Sequence, residues 1–235
     1  MKGVHEMTDR IRKRRQPCEL KQLKKSTSLQ PGWVSSNWSG YAKSSSPRSY
    51  KRISAEWTVP YVLPSRMNSY SSAWIGIDGY NNTDLIQTGT SHDWVNGKPV
   101  YYAWWEILPA AETMISSPVS PGDKMQATIT KITRKTCCII LKDVSKGWTF
   151  RTVQRYSGPQ TSAEWIVEAP TVNGFTAALS RFTPIQFRHC RLNGRSPQLC
   201  SNLKGIMMQG KRVLAVPGPA NRCKDGFVVR RVSCS

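Results

Sequence analysis

Short runs of β-branched and aromatic residues, separated by turn-forming residues, dominate the sequence from Trp33 onward. Such runs, with Gly, Pro, Asn and Ser between them, are typical of β-strands and turns. No segment shows a sustained apolar period of 3.6 residues, so the sequence predicts no long amphipathic helix. The predicted strands are residues 53–59, 71–77, 85–88, 100–107, 124–132, 136–143, 148–154, 163–168, 185–190, 212–216 and 227–232.

Turn dipeptides of the Asn-Gly and Asp-Gly type separate several of these strands. Asn96-Gly97, Asn193-Gly194 and Asp225-Gly226 each fit a tight hairpin between antiparallel strands. Many short strands with frequent turns favour a sandwich or a barrel, and a chain of 235 residues can form one such domain. We therefore predict an all-β fold, an antiparallel β-sandwich, in a single domain over residues 33–235.

Residues 1–32 differ from the rest of the chain in composition. The first 30 residues carry nine basic and three acidic side chains with few apolar ones, so we expect a basic, disordered tail. The tail has no apolar h-region, so we expect no secretory signal peptide in it. The basic run at residues 12–15 also fits a nucleic-acid or localisation patch.

The formal net charge of +20, from 34 Lys and Arg against 14 Asp and Glu, is extreme. It favours either an acidic partner or a solvated basic surface. The sequence contains no helix-turn-helix, zinc-binding or aromatic ribonucleoprotein motif, so we expect no nucleic-acid partner. A basic nucleic-acid-binding β-domain remains as a hypothesis that rests on charge alone. No apolar run reaches the roughly 18–20 residues of a membrane helix, so we also expect no membrane span.

Three predicted strands place carboxylates beside aromatic or aliphatic residues on one face. Because successive residues of a strand point to opposite sides, each of these strands has one apolar face for a core and one mixed face. The mixed faces favour either a cleft for extended peptide or cross-strand ion pairs. They hold Trp74, Gly76 and Asp78; Tyr102, Trp104 and Glu106; and Glu164, Ile166 and Glu168.

The sequence lacks the motifs that are typical of several other enzyme classes. The histidines His5, His92 and His189 lie outside any His-Glu-x-x-His run, which argues against a zinc peptidase. There is no Gly-x-Ser-x-Gly, no P-loop and no dinucleotide-binding glycine motif. The seven cysteines include no Cys-x-x-Cys. Four of them lie in the last 46 residues, a spacing that allows two disulfides in an oxidising compartment.

Six ordered motifs resemble those of the glutamic peptidases, peptidase family G1 or eqolisins, and any one alone would be a weak signal. The resemblance covers the chain from about Trp33 to the C-terminus. The motifs are Ser-Asn-Trp-Ser-Gly-Tyr (36–41), Trp-Thr-Val-Pro (57–60), Ala-Trp-Ile-Gly-Ile-Asp-Gly (73–79), Leu-Ile-Gln-Thr-Gly (85–89), Ala-Trp-Trp-Glu-Ile-Leu-Pro (103–109) and Ala-Glu-Trp-Ile-Val-Glu (163–168).

The resemblance implies a fold and a set of site residues. The fold is a sandwich of two large antiparallel sheets, a jelly roll of the concanavalin A-like lectin or glucanase type. The implied catalytic pair is Gln87 with Glu168, whereas strand alternation by itself leaves Glu164 and Glu168 as equal candidates. The implied substrate-binding or supporting residues are Trp74, Asp78, Trp104 and Glu106.

The resemblance also implies a pepstatin-insensitive endopeptidase that acts on polypeptides as a monomer, without metal or cofactor. It implies secretion, with a cytoplasmic location as the alternative for a chain without a visible leader. Fungal members are acidic and work in acid, whereas the positive potential of this chain favours the ionised form of Glu168. The alternative function is a non-catalytic, lectin-like sandwich that binds carbohydrate or peptide.

Overall fold

A computed structural model of the protein describes residues 13–14, 16–18 and 32–232. The described residues form β-strands and one 3-10 turn at Ser201–Leu203, and they contain no α-helix. The strands are β1 (Lys13–Arg14), β2 (Trp33–Ser35), β3 (Trp38–Ser44), β4 (Arg52–Thr58), β5 (Val62–Leu63), β6 (Ser72–Ile77), β7 (Ile86–Val95), β8 (Lys98–Ile107), β9 (Thr113–Ile115), β10 (Lys124–Thr133), β11 (Thr136–Asp143), β12 (Trp148–Arg155), β13 (Ser162–Glu168), β14 (Thr171–Val172), β15 (Phe175–Thr176), β16 (Arg181–Phe182), β17 (Ile185–Leu192), β18 (Lys204–Gln209), β19 (Arg212–Pro217) and β20 (Phe227–Arg231).

Most of these strands belong to one continuous, mainly antiparallel sheet. Its order is β12, β11, β10, β4, β17, β20, β19, β18, β3, β13, β6, β7, β8 and β9, and β2 pairs in parallel with β18. The sheet folds over itself, so that β4 and β10 pack against β6, β10 and β11 against β7, and β13 against β17. We call the layer of β3, β13, β6, β7 and β8 the front layer, and the layer of β12, β11, β10, β4, β17 and β20 the rear layer. The predicted fold class, an all-β antiparallel sandwich, is confirmed.

Apolar side chains from alternate residues of both layers fill the space between them. Ala163, Trp165 and Val167 of β13 enter this core from the front layer, and every second residue of 53–57 enters it from the rear layer. Burying a large apolar side chain contributes roughly 1.5–3 kcal/mol. A shift of one residue along β13 would exchange these core residues for Glu164, Ile166 and Glu168, so the core fixes the register of the strand.

The predicted strands agree with most observed ones, and β11 agrees to the residue. The Asn96-Gly97 turn joins β7 to β8 with φ of 52° and 75°, as expected for a type I′ hairpin. The prediction for β7 ended at Thr88, whereas the strand continues to Val95. Residues 89–93 are Gly, Thr, Ser, His and Asp, a run without apolar alternation, but they are buried between neighbouring strands. Tertiary packing therefore overrides the local pattern there.

A second apolar cluster covers the outer face of the front layer and contains Trp33, Trp38, Trp74, Leu85, Trp104 and Ile166. Gly89 of β7 lies between the strands that carry Trp74 and Trp104, as the cross-strand partner of both. A Cβ atom on Gly89 would lie 2.3 Å from the Ala73 carbonyl oxygen and 2.5 Å from the Trp74 Cβ. The missing side chain therefore lets the backbone and the two indoles approach closely.

The predicted N-terminal tail lies largely outside the described residues. Lys13–Arg14 pairs with β14, and the Cys18 N–H donates to the Gly79 carbonyl oxygen at 2.9 Å. Cys18 also packs against the outer cluster of tryptophans. These parts of the tail thus lie on the front layer, and the division of the chain after residue 32 stays a prediction.

The packing around Gly89 predicts that Gly89→Ala destabilises the fold. The new methyl group would overlap main-chain atoms that cannot rotate away, so we expect a loss of about 1–3 kcal/mol in the free energy of unfolding. Gly218→Ala is the matched control, because a Cβ there meets only the Val228 carbonyl oxygen at 3.5 Å. Urea unfolding would measure both, and an equal effect of the two substitutions would contradict this account of Gly89.

Candidate active site

The predicted site residues lie on the outer face of the front layer and at the end of one of its strands. All six are fully buried in this structure. Strand β6 lies between β13 and β7, and β8 lies on the far side of β7. The residues are Glu168 of β13, Trp74 of β6, Gln87 of β7, Trp104 and Glu106 of β8, and Asp78 directly after β6.

Glu168 is held by the indole of Trp74. The Trp74 Nε1–H donates to Glu168 Oε2 at 2.9 Å. Trp38, the cross-strand partner of Glu168, packs edge-on against the Trp74 ring with a centroid distance of 4.9 Å and an interplanar angle of 78°. Because Trp74 is wedged in this way, its N–H has a fixed direction, and the carboxylate that accepts from it is oriented as well.

Gln87 is held by Glu106, which lies directly opposite it on β8. The Gln87 Nε2 donates to Glu106 Oε2 at 2.8 Å, and this bond assigns the orientation of the amide. Within the described part of the chain, Gln87 Oε1 accepts no hydrogen bond. The amide therefore retains one N–H and one carbonyl oxygen for a substrate or a water molecule.

Trp104 forms the apolar wall of the site on the β8 side. Its ring belongs to the outer cluster, and its carbonyl oxygen accepts from Thr88 Oγ1 at 2.7 Å. Trp74 and Trp104 together make the surroundings of Gln87 and Glu168 apolar. Electrostatic interactions between polar groups are stronger in such surroundings than in water.

Asp78 is bonded to a neighbouring loop rather than to Gln87. Its Oδ2 accepts from the Tyr156 hydroxyl at 2.5 Å and from the Gln160 N–H at 2.8 Å, and its Oδ1 accepts from the Thr161 N–H at 2.8 Å. Asp78 has a positive φ of 70°, and these hydrogen bonds hold the backbone in that strained conformation. Burial, with the Asp78 charge, raises the pKa of Tyr156 far above its ordinary value, so the phenol remains a donor. Asp78 thus fixes the loop at residues 156–161 beside the site.

Asp93 is a buried acid of this face that sequence reasoning missed. It lies on the same side of β7 as Gln87, forms an ion pair with Lys13 and accepts from the Ser71 N–H at 3.2 Å. The Lys13 Nζ also donates to the Tyr102 hydroxyl at 2.8 Å and lies 4.7 Å from the Tyr70 ring centroid. Burial raises the pKa of Asp93, and the charge of Lys13 offsets part of this rise. Extending the predicted β7 to Asp93 would have revealed it by strand alternation.

Glu164 shares the outer face of β13 with Glu168 but differs in its surroundings. It is fully buried, and its cross-strand partners are Ala42 and Gly76, neither of which carries a polar side chain. Burial raises the pKa of Glu164 well above its ordinary value; the Ser162 side chain lowers it by a smaller amount, and the charge of Asp78 raises it slightly. Burial therefore favours the neutral form of this side chain.

The described residues form neither a metal-binding cluster nor a disulfide. In residues 13–14, 16–18 and 32–232, no group of three or more His, Cys, Asp or Glu side chains is arranged to hold a metal ion. Cys137, Cys138 and Cys190 are buried, Cys200 and Cys223 are exposed, and none of these five forms a disulfide. No helix of the described chain has the length and apolarity needed to cross a bilayer.

Comparison with solved structures shows the same fold in peptidases. Scytalido-glutamic peptidase with a transition-state analogue inhibitor aligns with a TM-score of 0.72 at 22% identity, covering 84% of this chain and 98% of that one. Aspergilloglutamic peptidase from Aspergillus niger aligns with a TM-score of 0.58 at 22% identity, covering 70% and 99%. SCP-B, a member of the eqolisin family in complex with the tripeptide Ala-Ile-His, aligns with a TM-score of 0.56 at 21% identity, covering 84% and 98%.

Sequence comparison identifies the family directly. No curated protein sequence matches the chain significantly. Residues 36–213 match the Peptidase A4 family, a span that includes all six predicted site residues and covers well over half of the chain. The chain therefore belongs to the Peptidase A4 family, and it is a peptidase of the glutamic type.

Proposed function

We propose that this protein is an endopeptidase in which Glu168 activates water and Gln87 stabilises the tetrahedral intermediate. The observation that carries the proposal is the pair of fixed side chains on neighbouring strands: Glu168 bonded to Trp74, and Gln87 bonded to Glu106. The fold shared with glutamic peptidases supports the reaction class. Polypeptides are the substrates, and we expect an extracellular site of action, as the family resemblance implies.

The proposed reaction needs three functions from these residues. Ionised Glu168 takes a proton from water while the water oxygen attacks the peptide carbonyl, and the same carboxyl later gives that proton to the leaving amine nitrogen. The remaining Gln87 N–H donates to the oxyanion, and its Oε1 orients the water. Trp74 directs the carboxylate, and the apolar walls strengthen each of these interactions.

The surroundings of the two glutamates of β13 support Glu168 over Glu164 as the base. A general base must be ionised at the working pH, and a hydrogen-bond donor that is held in a fixed direction stabilises and orients its carboxylate. Glu168 accepts from an indole N–H, which stabilises the carboxylate. Burial favours the neutral form of Glu164, so we assign it a packing role in the front layer.

The catalytic assignment predicts that Glu168→Gln and Gln87→Ala each lower kcat/KM by about 10²–10⁴-fold. Cleavage of a denatured protein from about pH 2 to 7, with and without pepstatin, would measure this loss. Glu56→Gln is the matched control, because Glu56 lies on the outer face of the rear layer, and it should retain full activity. Undiminished cleavage in both site variants would refute the pair, and a folded protein without activity at any pH would favour a binding role.

The neutral state of Glu164 predicts how Glu164→Gln affects stability. A carboxyl whose pKa is raised by folding does not lower the free energy of unfolding while it is protonated in both the folded and the unfolded state. As pH rises above the pKa of the unfolded state, the carboxyl increasingly lowers the free energy of unfolding. The amide of Glu164→Gln does not titrate, so the variant does not lose stability in this way. We therefore expect Glu164→Gln to gain stability over the parent from pH 4 to pH 8, while peptidase activity persists. Denaturant unfolding at several pH values measures the difference, and a constant difference would contradict a buried, neutral Glu164.

The burial of the site predicts that the N-terminal segment limits activity. Lys13 occupies a buried position on the front layer and Cys18 packs on the tryptophan cluster, while the six site residues have no exposed surface. Because Cys18 packs on the cluster that contains Trp74 and Trp104, we expect a substrate to displace this segment. We expect removal of residues 1–31 to raise kcat/KM at least about tenfold, and Lys13→Ala in the full chain to raise it less, because one buried ion pair contributes only part of the contact. Equal activity of the full and shortened chains would exclude this role.

A further inference from the structure

The rear of the molecule gathers basic side chains that are far apart in sequence. An open cavity of about 770 Å³ is lined by Arg48, Lys51, Arg52 and Arg191. Cavities of about 630 Å³ and 440 Å³ adjoin it, because Arg191 also lines the first of these and Asn193 lines the second. We define the basic face as Arg48, Lys51, Arg52, Arg188, Arg191 and Arg195, which line these three cavities.

A β-bulge in β17 places two of these arginines on the same side of the sheet. Arg188 pairs with Glu56 of β4, whereas Arg191 pairs with Ser54. A step of three residues along β17 therefore matches a step of two residues along β4. Strand alternation alone would turn Arg191 toward the core, since it lies three residues after Arg188. The extra residue, His189 with φ of 48°, restores Arg191 to the outer face.

The loop that carries Lys51 and Arg52 is fixed by Asn193. The Asn193 Oδ1 accepts from the Lys51 N–H at 2.9 Å and from the Arg52 N–H at 3.1 Å, and its Nδ2 donates to the Ser49 carbonyl oxygen at 2.8 Å. These bonds hold the loop against the end of β17. The basic side chains are thus presented from a backbone that is already ordered, which lowers the entropy that binding a partner would cost.

The basic face carries few counter-charges. Among the residues that the structure describes, Arg191 with Asp225 is the one ion pair formed by its six members. Glu56, the nearest acid on β4, bonds with His189 at 2.9 Å. A cluster with this excess of cations over acids produces a positive potential and attracts an anion with several charges.

The side chains present favour a run of phosphates over other anionic partners. Five of the six basic residues are arginines, whose planar guanidinium groups bind phosphate oxygens through two parallel bonds. The large exposed apolar side chains of the described chain lie elsewhere, so this face lacks the apolar anchors of a membrane-binding surface and the aromatic platforms that stack single-stranded bases. What remains is contact with the phosphate backbone of a duplex, which requires no base recognition.

We propose that the basic face binds the phosphate backbone of double-stranded nucleic acid without sequence preference. This differs from the expectation, drawn from the absence of sequence motifs, that the protein has no nucleic-acid partner. Motifs cannot reveal that residues 48–52 and 188–195 meet on one surface. The proposal is independent of peptidase activity, because Arg52 and Arg188 lie on the outer face of the rear layer, whereas Glu168 lies on the front layer.

The test is fluorescence anisotropy of a labelled 20-base-pair DNA duplex with the full chain, between 50 and 200 mM salt. The face variant combines Lys51→Ser, Arg52→Ser and Arg188→Ser. The control combines Lys98→Ser, Lys124→Ser and Lys211→Ser, at lysines that are also exposed. Each variant removes three positive charges and lowers the net charge from +20 to +17. We expect the face variant to bind at least about tenfold more weakly and to reduce the slope of log K against log salt by about 2–3. The control should change affinity by less than about threefold.

Three outcomes would overturn the proposal. They are an equal loss in both variants, no duplex binding by the parent chain at 50 mM salt, and binding to phosphatidylserine vesicles or heparin that the duplex does not displace. Melting temperatures verify that each variant is folded. If the face variant is not folded, Arg188→Ser alone should lower the salt slope by about 1, and an unchanged slope would overturn the proposal.

Discussion

The alternation of side chains along tightly paired strands is the constraint on which both the core and the proposed site depend. All seven residues of β13 are buried, with Trp165 facing the core and Glu168 facing the outer cluster. A slip of one residue would bury carboxylates among the core residues, at a cost of several kcal/mol for each ion. The apolar packing that stabilises the sandwich therefore also fixes where Glu168 lies.

Charge is distributed unevenly across the sandwich. The buried acids of the front layer differ in how they are accommodated: Asp78 accepts several hydrogen bonds, Glu168 accepts from Trp74, and Asp93 pairs with Lys13. Glu164 has the least polar environment, and burial raises its pKa. Each arrangement follows from the rule that a buried charge requires either partners or neutralisation. Five of the six residues of the basic face have no such requirement, because they are exposed, and the half-buried Arg191 pairs with Asp225.

Sequence patterns predicted the fold class, most strands and the face on which the site residues lie. Periodicity and turn residues suffice for this, because Trp74, Trp104 and Glu106 alternate with core residues in strongly apolar strands. They did not predict the length of β7 or the role of Asp93, because residues 89–93 lack apolar alternation and are ordered by their neighbours. The partners of Asp78 were also missed, since its bonds to the loop at residues 156–161 join segments about 80 residues apart. Contacts of that range depend on tertiary structure, which local patterns do not contain.

The separation of the two faces limits how they can influence each other. The layers of a sandwich lie about 10 Å apart, and the close-packed core between them offers no second arrangement that would transmit a structural shift from the basic face to Glu168. Such binding would instead determine where the peptidase acts, because an enzyme held on a polyanion meets the proteins held there at a raised local concentration. In the proposed arrangement, the basic face would determine where the peptidase acts, and the strand register fixes where the proposed catalytic residues lie.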